Sequence, residues 1–193
     1  MRDAQPVTFF TLFPTAIGEC GIAWRGDTVV ATRLPDAHPA DTGRRLAAHT
    51  GAAEGAPPST VRQAIASMTA LLDGKRTDLT GIPCDLDGVE PFSAEVYAAA
   101  RAIPAGETST YGVIASRLGD RRSARRVGQA LGRNPLPIIV PCHRIVGADG
   151  RLTGFSAGGG VETKLKMLEI EGARLGGDPG LFDSLPLAVK PSG

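Results

Sequence analysis

Apolar and polar positions change rhythm twice along this chain. Residues 7–34 follow a strand pattern. The segments "VTFFTLF" and "CGIAWRGDTVVATRL" are rich in β-branched and aromatic residues, and Gly18, Gly21 and the "RGD" turn at 25–27 break them into hairpin lengths. Residues 36–58 are dense in Ala, Gly, Pro and charge, with a short helix predicted near 40–50. From residue 59 the period becomes helical. Val61, Ile65, Met68, Leu71 and Leu72 share one face, Ser59 or Thr60 is the expected cap, and Asp73-Gly74 is the stop. "DLTGIPCDLDG" then predicts a short strand and a turn.

A second change falls near Gly88–Pro91, where helices take over. "PFSAEVYAAARAIPAG" predicts a helix capped by Ser93, with Val96, Tyr97, Ala100 and Ile103 inward and a stop at 104–106. "TYGVIASRLG" predicts a second helix over 110–118. "SARRVGQALGRN" predicts a third over 123–134, capped by Ser123. Two short helices joined by "GDRR" form a helix-turn-helix candidate. Pro135, Pro137 and Pro141 forbid a helix through "NPLPIIVPCHRIVG", so 138–146 is expected to be extended or looped, followed by a "GADG" turn. "SAGGG" (156–160) reads as a glycine loop. "VETKLKMLEIEG" reads as a last amphipathic helix with Val161, Leu165, Leu168 and Ile170 inward and Gly172 as its stop. Residues 173–193 lack periodicity and read as a tail with one docking patch, "LFDSLPL".

Composition narrows the class. The chain has 193 residues, 42% of them hydrophobic and 21% charged, as in ordinary globular proteins. No apolar run approaches the roughly 20 residues that span a bilayer. Three widely spaced cysteines (Cys20, Cys84, Cys142) form neither a disulfide framework nor a zinc knuckle, so a reducing cytoplasm is the expected compartment. No metal is expected, and Cys20 and Cys84 read as core thiols. The formal net charge of +1 hides an asymmetry: residues 1–90 carry −3, residues 91–150 carry +4, and the remainder is neutral. Seven arginines and one acid, Asp120, lie between 115 and 145. That local field suits a polyanion, although a solvated arginine-rich helix face would look the same.

"IIVPCHRIVG" (138–147) holds the candidate chemistry. A free thiol with pKa near 8.5 is only about 3% thiolate at neutral pH, so a reactive cysteine needs a base or a positive neighbour. His143 is the obvious partner of Cys142, but neighbours on an extended strand point to opposite faces, so a water or a kink at Pro141 would have to join them. A buried acid would hold the imidazole in the right tautomer. From the residues alone that acid is unidentified, and Cys142 is either a packed core thiol or a nucleophile.

"RNPLPIIVPCHRIVGADGRLTGF", with its PCHR core, closely resembles the active-site segment of the O6-alkylguanine-DNA alkyltransferases, the methylated-DNA–protein-cysteine methyltransferases. "TSTYGVIASRLGDRRSARRVGQALGRNP" and "VETKLKMLEIEG" match in order and spacing, so the strong resemblance covers about residues 91–172. Residues 7–34 match the family's weaker N-terminal pattern. The resemblance implies an α+β protein: a β-rich, ribonuclease H-like N-terminal domain (1–88), a helical domain of winged helix-turn-helix type carrying the active site (89–175), and a tail (176–193).

It also implies roles. Cys142 would be the alkyl acceptor, His143 the base acting through a water, and Glu171 the acid that holds it. Asn134 would brace the active-site turn, and Tyr111 would assist the departing guanine. Arg125 would be a finger replacing the extruded base, with Arg122, Ser123, Arg126 and Arg133 along the DNA. Phe155 and Ser156 would line a lid over the base, and the carbonyls of Cys142 and Ile145 would accept from the guanine amino group.

The partner so implied is double-stranded DNA bearing O6-alkylguanine, or O4-alkylthymine, bound through the minor groove with the base flipped. A monomer without cofactor or obligate protein partner, with cooperative binding along DNA as an open question, completes the expectation. The lid "FSAGGGVETK" departs from the family's shorter form, with Phe155 where a tyrosine is usual. The alternative is a lesion-binding protein without chemistry, which would lack the acceptor cysteine.

Overall fold

In the computed structural model, which describes residues 7–152 and 159–173, the strand-like start forms three antiparallel strands: β1 (Thr8–Thr15), β2 (Gly18–Arg25) and β3 (Thr28–Arg33). Turns fall at Gly18 and within the "RGD" segment as predicted, whereas Gly21, expected as a break, lies inside β2. Gly18 and Gly26 hold φ of +119° and +58°, where a side chain is strained. Helix α1 (Pro39–Thr50) leads to a two-residue strand β4 (Ala53–Glu54), which the sequence pattern did not reveal. It pairs parallel to β1, giving the order β3-β2-β1-β4.

Helix α2 (Ser59–Leu72) buries Val61, Met68, Leu71 and Leu72 as its period requires. Neither Ser59 nor Thr60 caps it. Pro58 holds the cap position with an extended backbone, and the Thr60 hydroxyl donates instead to the Asp27 carboxylate. The strand expected after residue 78 reduces to a single bridge at Cys84: Val29 N–H donates to the Pro83 carbonyl (2.9 Å) and Asp85 N–H to the Val29 carbonyl (2.8 Å). Pro83 has no N–H with which to prolong a ladder.

The remaining helices are α3 (Pro91–Arg101), α4 (Tyr111–Arg117), α5 (Ala124–Gly132) and α6 (Gly160–Ile170). Pro91 at the first position, with its preset φ, opens α3, so Ser93 lies inside the helix, buried, rather than at its cap. Thr110 caps α4 by accepting from Val113 N–H at 3.2 Å. Ser123 occupies the α5 cap position, but its hydroxyl donates backward to the Asp120 carbonyl at 2.7 Å and caps nothing. A parallel two-residue ladder joins β5 (Ser109–Thr110) to β6 (Ile145–Val146).

One continuous apolar core runs across the predicted boundary near residue 88. Ile22, Trp24, Val61, Met68 and Leu72 belong to the same buried cluster as Val96, Tyr97, Ile114, Val127, Leu136 and Met167. The Tyr97 hydroxyl donates to the Ala130 carbonyl at 2.9 Å and ties α3 to α5 within it. No described helix is long and apolar enough to cross a membrane.

Candidate active site

The segment between α5 and β6 is built as a pinned turn. The Asn134 side chain bridges it, its Nδ2 donating to the Val140 carbonyl and its Oδ1 accepting from Leu136 N–H, both at 2.9 Å. Val140 N–H closes back onto the Leu136 carbonyl at 2.8 Å. Inside this loop Ile138 has φ +77°, the only positive φ outside glycine among the described residues. A β-branched residue in the left-handed region is strained and persists only where its surroundings hold it.

Of the extended or looped forms expected for 138–146, the chain takes a loop at 142–144. Arg144 N–H donates to the Pro141 carbonyl at 3.0 Å, and Cys142–Arg144 form one 3-10 turn before β6. Tight turning, not strand alternation, therefore sets the directions of Cys142, His143 and Arg144. Cys142 stays partly accessible, whereas His143 and Arg144 are buried.

Glu171, at the end of α6, meets this turn. Its Oε1 lies 3.0 Å from His143 Nε2, and Arg144 grips both oxygens, Nη2 to Oε1 at 2.7 Å and Nε to Oε2 at 2.9 Å. Arg144 Nη1 donates onward to the Ile103 carbonyl at 2.6 Å. Burial alone would raise the Glu171 pKa, but the hydrogen bonds from His143 and Arg144 overrule it and hold the carboxyl at about 2. An ionised carboxylate only accepts, so His143 Nε2 must donate, which leaves Nδ1 as the free basic nitrogen. Burial lowers the His143 pKa despite Glu171, so the ring is a neutral base at rest.

Lys164 is the residue that sequence reasoning missed. It is fully buried on α6, and its Nζ donates to the Ile145 carbonyl at 2.6 Å and lies 6.0 Å from the Tyr111 ring centre. Burial lowers its pKa to about 8, against the pull of Cys142. Burial also raises the Cys142 thiol, while the Asn134 side chain and the Lys164 charge draw it back down. The inward face of α6 is thus Lys164, Met167 and Leu168, with Glu171 just beyond, and Val161, expected inward, is 47% exposed. Of the other residues expected inward, Leu168 is buried and Leu165 and Ile170 are half-buried, and the rest of the inward face escapes an apolar stripe because Lys164 and Glu171 occupy it.

The structure brings Cys142, His143, Glu171, Asn134, Ile145 and, through Lys164, Tyr111 together. Tyr111 opens α4 and leans over Gly128 of α5, where a Cβ would sit 3.7 Å from its ring. The Ile145 carbonyl already accepts from Lys164, and the Cys142 carbonyl accepts from Ile145 N–H. Phe155 and Ser156, the expected lid, lie outside the described residues.

Arg122, Arg125, Arg126 and Arg133 are exposed around α5. Arg126 is engaged, 3.2 Å from Glu90 and 4.0 Å above the Phe92 ring. Ser123 is buried with its hydroxyl committed to Asp120, so it presents no donor outward. A cavity of about 520 Å³ lies behind the turn, lined by Arg76, Arg101, Pro104, Pro141 and Arg144, and Cys142 is not among its lining residues.

A buried carboxylate–imidazole pair beside a half-open thiol sits on a helical scaffold with an arginine-rich face. The family model described as "6-O-methylguanine DNA methyltransferase, DNA binding domain" matches residues 91–173. A methylated-DNA–protein-cysteine methyltransferase of Mycobacterium tuberculosis is 43% identical over 126 residues, 65% of this chain and 74% of that protein. The crystal structure of the M. tuberculosis O6-methylguanine methyltransferase superposes with a TM-score of 0.72 at 34% identity, covering 92% of this chain and all of the other. A structure of the M. tuberculosis protein in complex with DNA superposes at 0.70 and 35% identity, covering 91% and 99%. The chain belongs to the methylated-DNA–protein-cysteine methyltransferase family.

Proposed function

We propose that this protein repairs DNA by transferring the alkyl group of O6-alkylguanine, and of O4-alkylthymine, to Cys142 in one irreversible turnover. The 3.0 Å contact between His143 Nε2 and Glu171 Oε1, next in chain to a partly accessible cysteine, carries this reading. The thiol proton passes through a water to His143 Nδ1, and Glu171 compensates the imidazolium. The thiolate attacks the alkyl carbon. The S–C bond forms as the C–O6 bond breaks, and guanine leaves with the electron pair. Tyr111 gives its hydroxyl proton to the leaving base and regains one from His143. The products are an S-alkylcysteine and an unmodified guanine, so the step balances with protein groups alone. The thioether does not revert, and each molecule acts once. A lesion-binding protein without chemistry would have no use for the thiol.

The reacting carbon is out of reach within a stacked duplex, so the base is flipped, which costs a few kcal/mol and least for a damaged pair. Arg125, the second residue of α5 and exposed, fills the vacated space from the minor groove while Arg122 and Arg133 meet phosphates. In this reading residues 1–88 form a ribonuclease H-like structural domain and residues 89–175 a winged helix-turn-helix domain bearing the site. The tail expected over 176–193 lies outside the described residues, and the protein works as a cytoplasmic monomer. The test is a duplex carrying a radiolabelled O6-methyl group. Label should move to the wild-type protein and not to Cys142→Ser, which should still bind the duplex. Label retained on DNA with wild type would refute the proposal.

A further inference from the structure

Strand β3 is the outer edge of the four-stranded sheet, and an edge exposes unpaired N–H and C=O groups. N–H directions alternate along a strand, so Val29 and Thr32, three apart, would normally point to opposite sides. The pairing of β2 with β3 skips Val30: Ala23 opposes Ala31 and Trp24 opposes Val29. That bulge shifts the alternation by one residue. Val29 and Thr32 therefore both present N–H to the open edge. Val29 captures the connector at Pro83, and Thr32 captures the active-site turn.

The grip of Thr32 is double. Its N–H donates to the Pro135 carbonyl at 2.9 Å and its Oγ to the Pro137 carbonyl at 2.6 Å, and the residue is buried at 6% exposure. Pro137 directly precedes Ile138, the strained residue. Asn134 holds the same turn from its far side, at Leu136 and Val140, and Cys142 N–H donates to the Val140 carbonyl at 2.8 Å. The path from Thr32 to the thiol runs from its hydrogen bond to Pro137, along the chain through Ile138 to Val140, and by the Cys142 N–H bond to the Val140 carbonyl.

We infer that Thr32 is a positioning residue for the transfer reaction: by holding the Pro135 and Pro137 carbonyls, the sheet edge keeps Ile138 in its left-handed conformation and aims Cys142 at the base. This inference rests on the alkyl-transfer reading of Cys142. Without the Thr32 hydroxyl, the Pro137 carbonyl loses that donor, and on that side only the Thr32 N–H bond to Pro135 still holds the turn against relaxation of Ile138. The turn shifts, and the sulfur moves relative to His143, Asn134 and Lys164.

The test compares wild type, Thr32→Val and Thr32→Ser. Valine keeps the branched shape and the N–H but lacks the hydroxyl, and serine restores it. Thr32→Val should transfer methyl from an O6-methylguanine duplex about tenfold more slowly, with a similar loss on free O6-benzylguanine, because a small misplacement of a reacting atom is costly. Its Kd for the duplex should stay within about twofold, since phosphate contacts set that affinity. Thr32→Ser should recover most of the rate. Iodoacetamide labelling of Cys142, read by peptide mass against pH, should show its inflection moved in Thr32→Val and not in Thr32→Ser. Wild-type rates and an unmoved inflection in Thr32→Val would overturn the inference. So would a loss that matches the unfolded fraction alone. If wild type fails to take up methyl, the alkyl-transfer reading falls instead, and the labelling profile still judges the hold of Thr32 on the thiol.

Discussion

His143 Nε2 sits 3.0 Å from Glu171 Oε1, and both side chains are essentially sealed from solvent. The carboxylate does not serve the histidine alone, because Arg144 takes both of its oxygens. Glu171 is therefore a fixed, ionised anchor whose charge is already balanced, and the imidazole next to it is neutral. The site rests with a protonated, partly shielded thiol and an unprotonated base. That keeps a single-use sulfur from being spent on adventitious electrophiles, since the thiolate is the reactive form.

Replacing Glu171 with Gln should slow methyl transfer and destabilise the fold by about 3 kcal/mol, the cost of leaving a buried partner, here Arg144, uncompensated. Single-turnover kinetics and urea denaturation at neutral pH check both. A pH–rate profile identical to wild type would remove Glu171 from the relay.

Acid should destabilise the protein in two windows. The folded pKa of His143 is depressed below 6.5, so its contribution is complete above pH 6.5 and fades as pH falls below that value. Glu171 is depressed from 4.5 to about 2, so its contribution is present above pH 4.5 and is lost as pH falls towards 2. The second window should be worth about 3 kcal/mol in wild type and should vanish in Glu171→Gln, leaving the first. Urea midpoints measured against pH separate the two.

Lys164→Met should leave α6 folded, since methionine fits a buried helical position, while removing the cation that lowers the Cys142 pKa. Alkylation of Cys142 should then require higher pH, and transfer at pH 7 should fall by about tenfold for each unit by which the thiol inflection rises. In wild type the Lys164 contribution should weaken above about pH 8, where the lysine itself loses its proton. An inflection unmoved in Lys164→Met would contradict the electrostatic role.

The two neighbouring arginines of α5 should separate. Arg125 has no ion pair among the described residues, whereas Arg126 is held by Glu90 and Phe92. Arg125→Ala should slow repair of a duplex far more than reaction with free O6-benzylguanine. Arg126→Ala should have the smaller effect on duplex binding. Equal losses on both substrates for Arg125→Ala would argue against its insertion into the stack.

Most of this fold was legible from periodicity: strands and helices form where the pattern predicts them, and α2 and α3 bury nearly all of the residues their patterns nominate. The failed caps share one cause: each hydroxyl found a partner other than the helix N–H it was expected to accept from. Thr60 abandoned capping for Asp27, and Ser123 turned back to Asp120. Cys142, His143, Glu171 and Asn134 were legible through the family resemblance. Lys164 and Thr32 were not. A buried lysine looks like a solvated charge, and a threonine on an edge strand gives no hint that its partners are prolines a hundred residues away.

The central claim is that Cys142 leaves the reaction carrying the alkyl group. The most direct measurement is the intact and peptide mass of the protein before and after exposure to a duplex containing O6-methylguanine. The account predicts one methyl per molecule, in place of the thiol proton on the Cys142 peptide, with Cys20 and Cys84 unchanged. An unmodified Cys142 after complete binding of the methylated duplex, or methyl found on another residue, would contradict it.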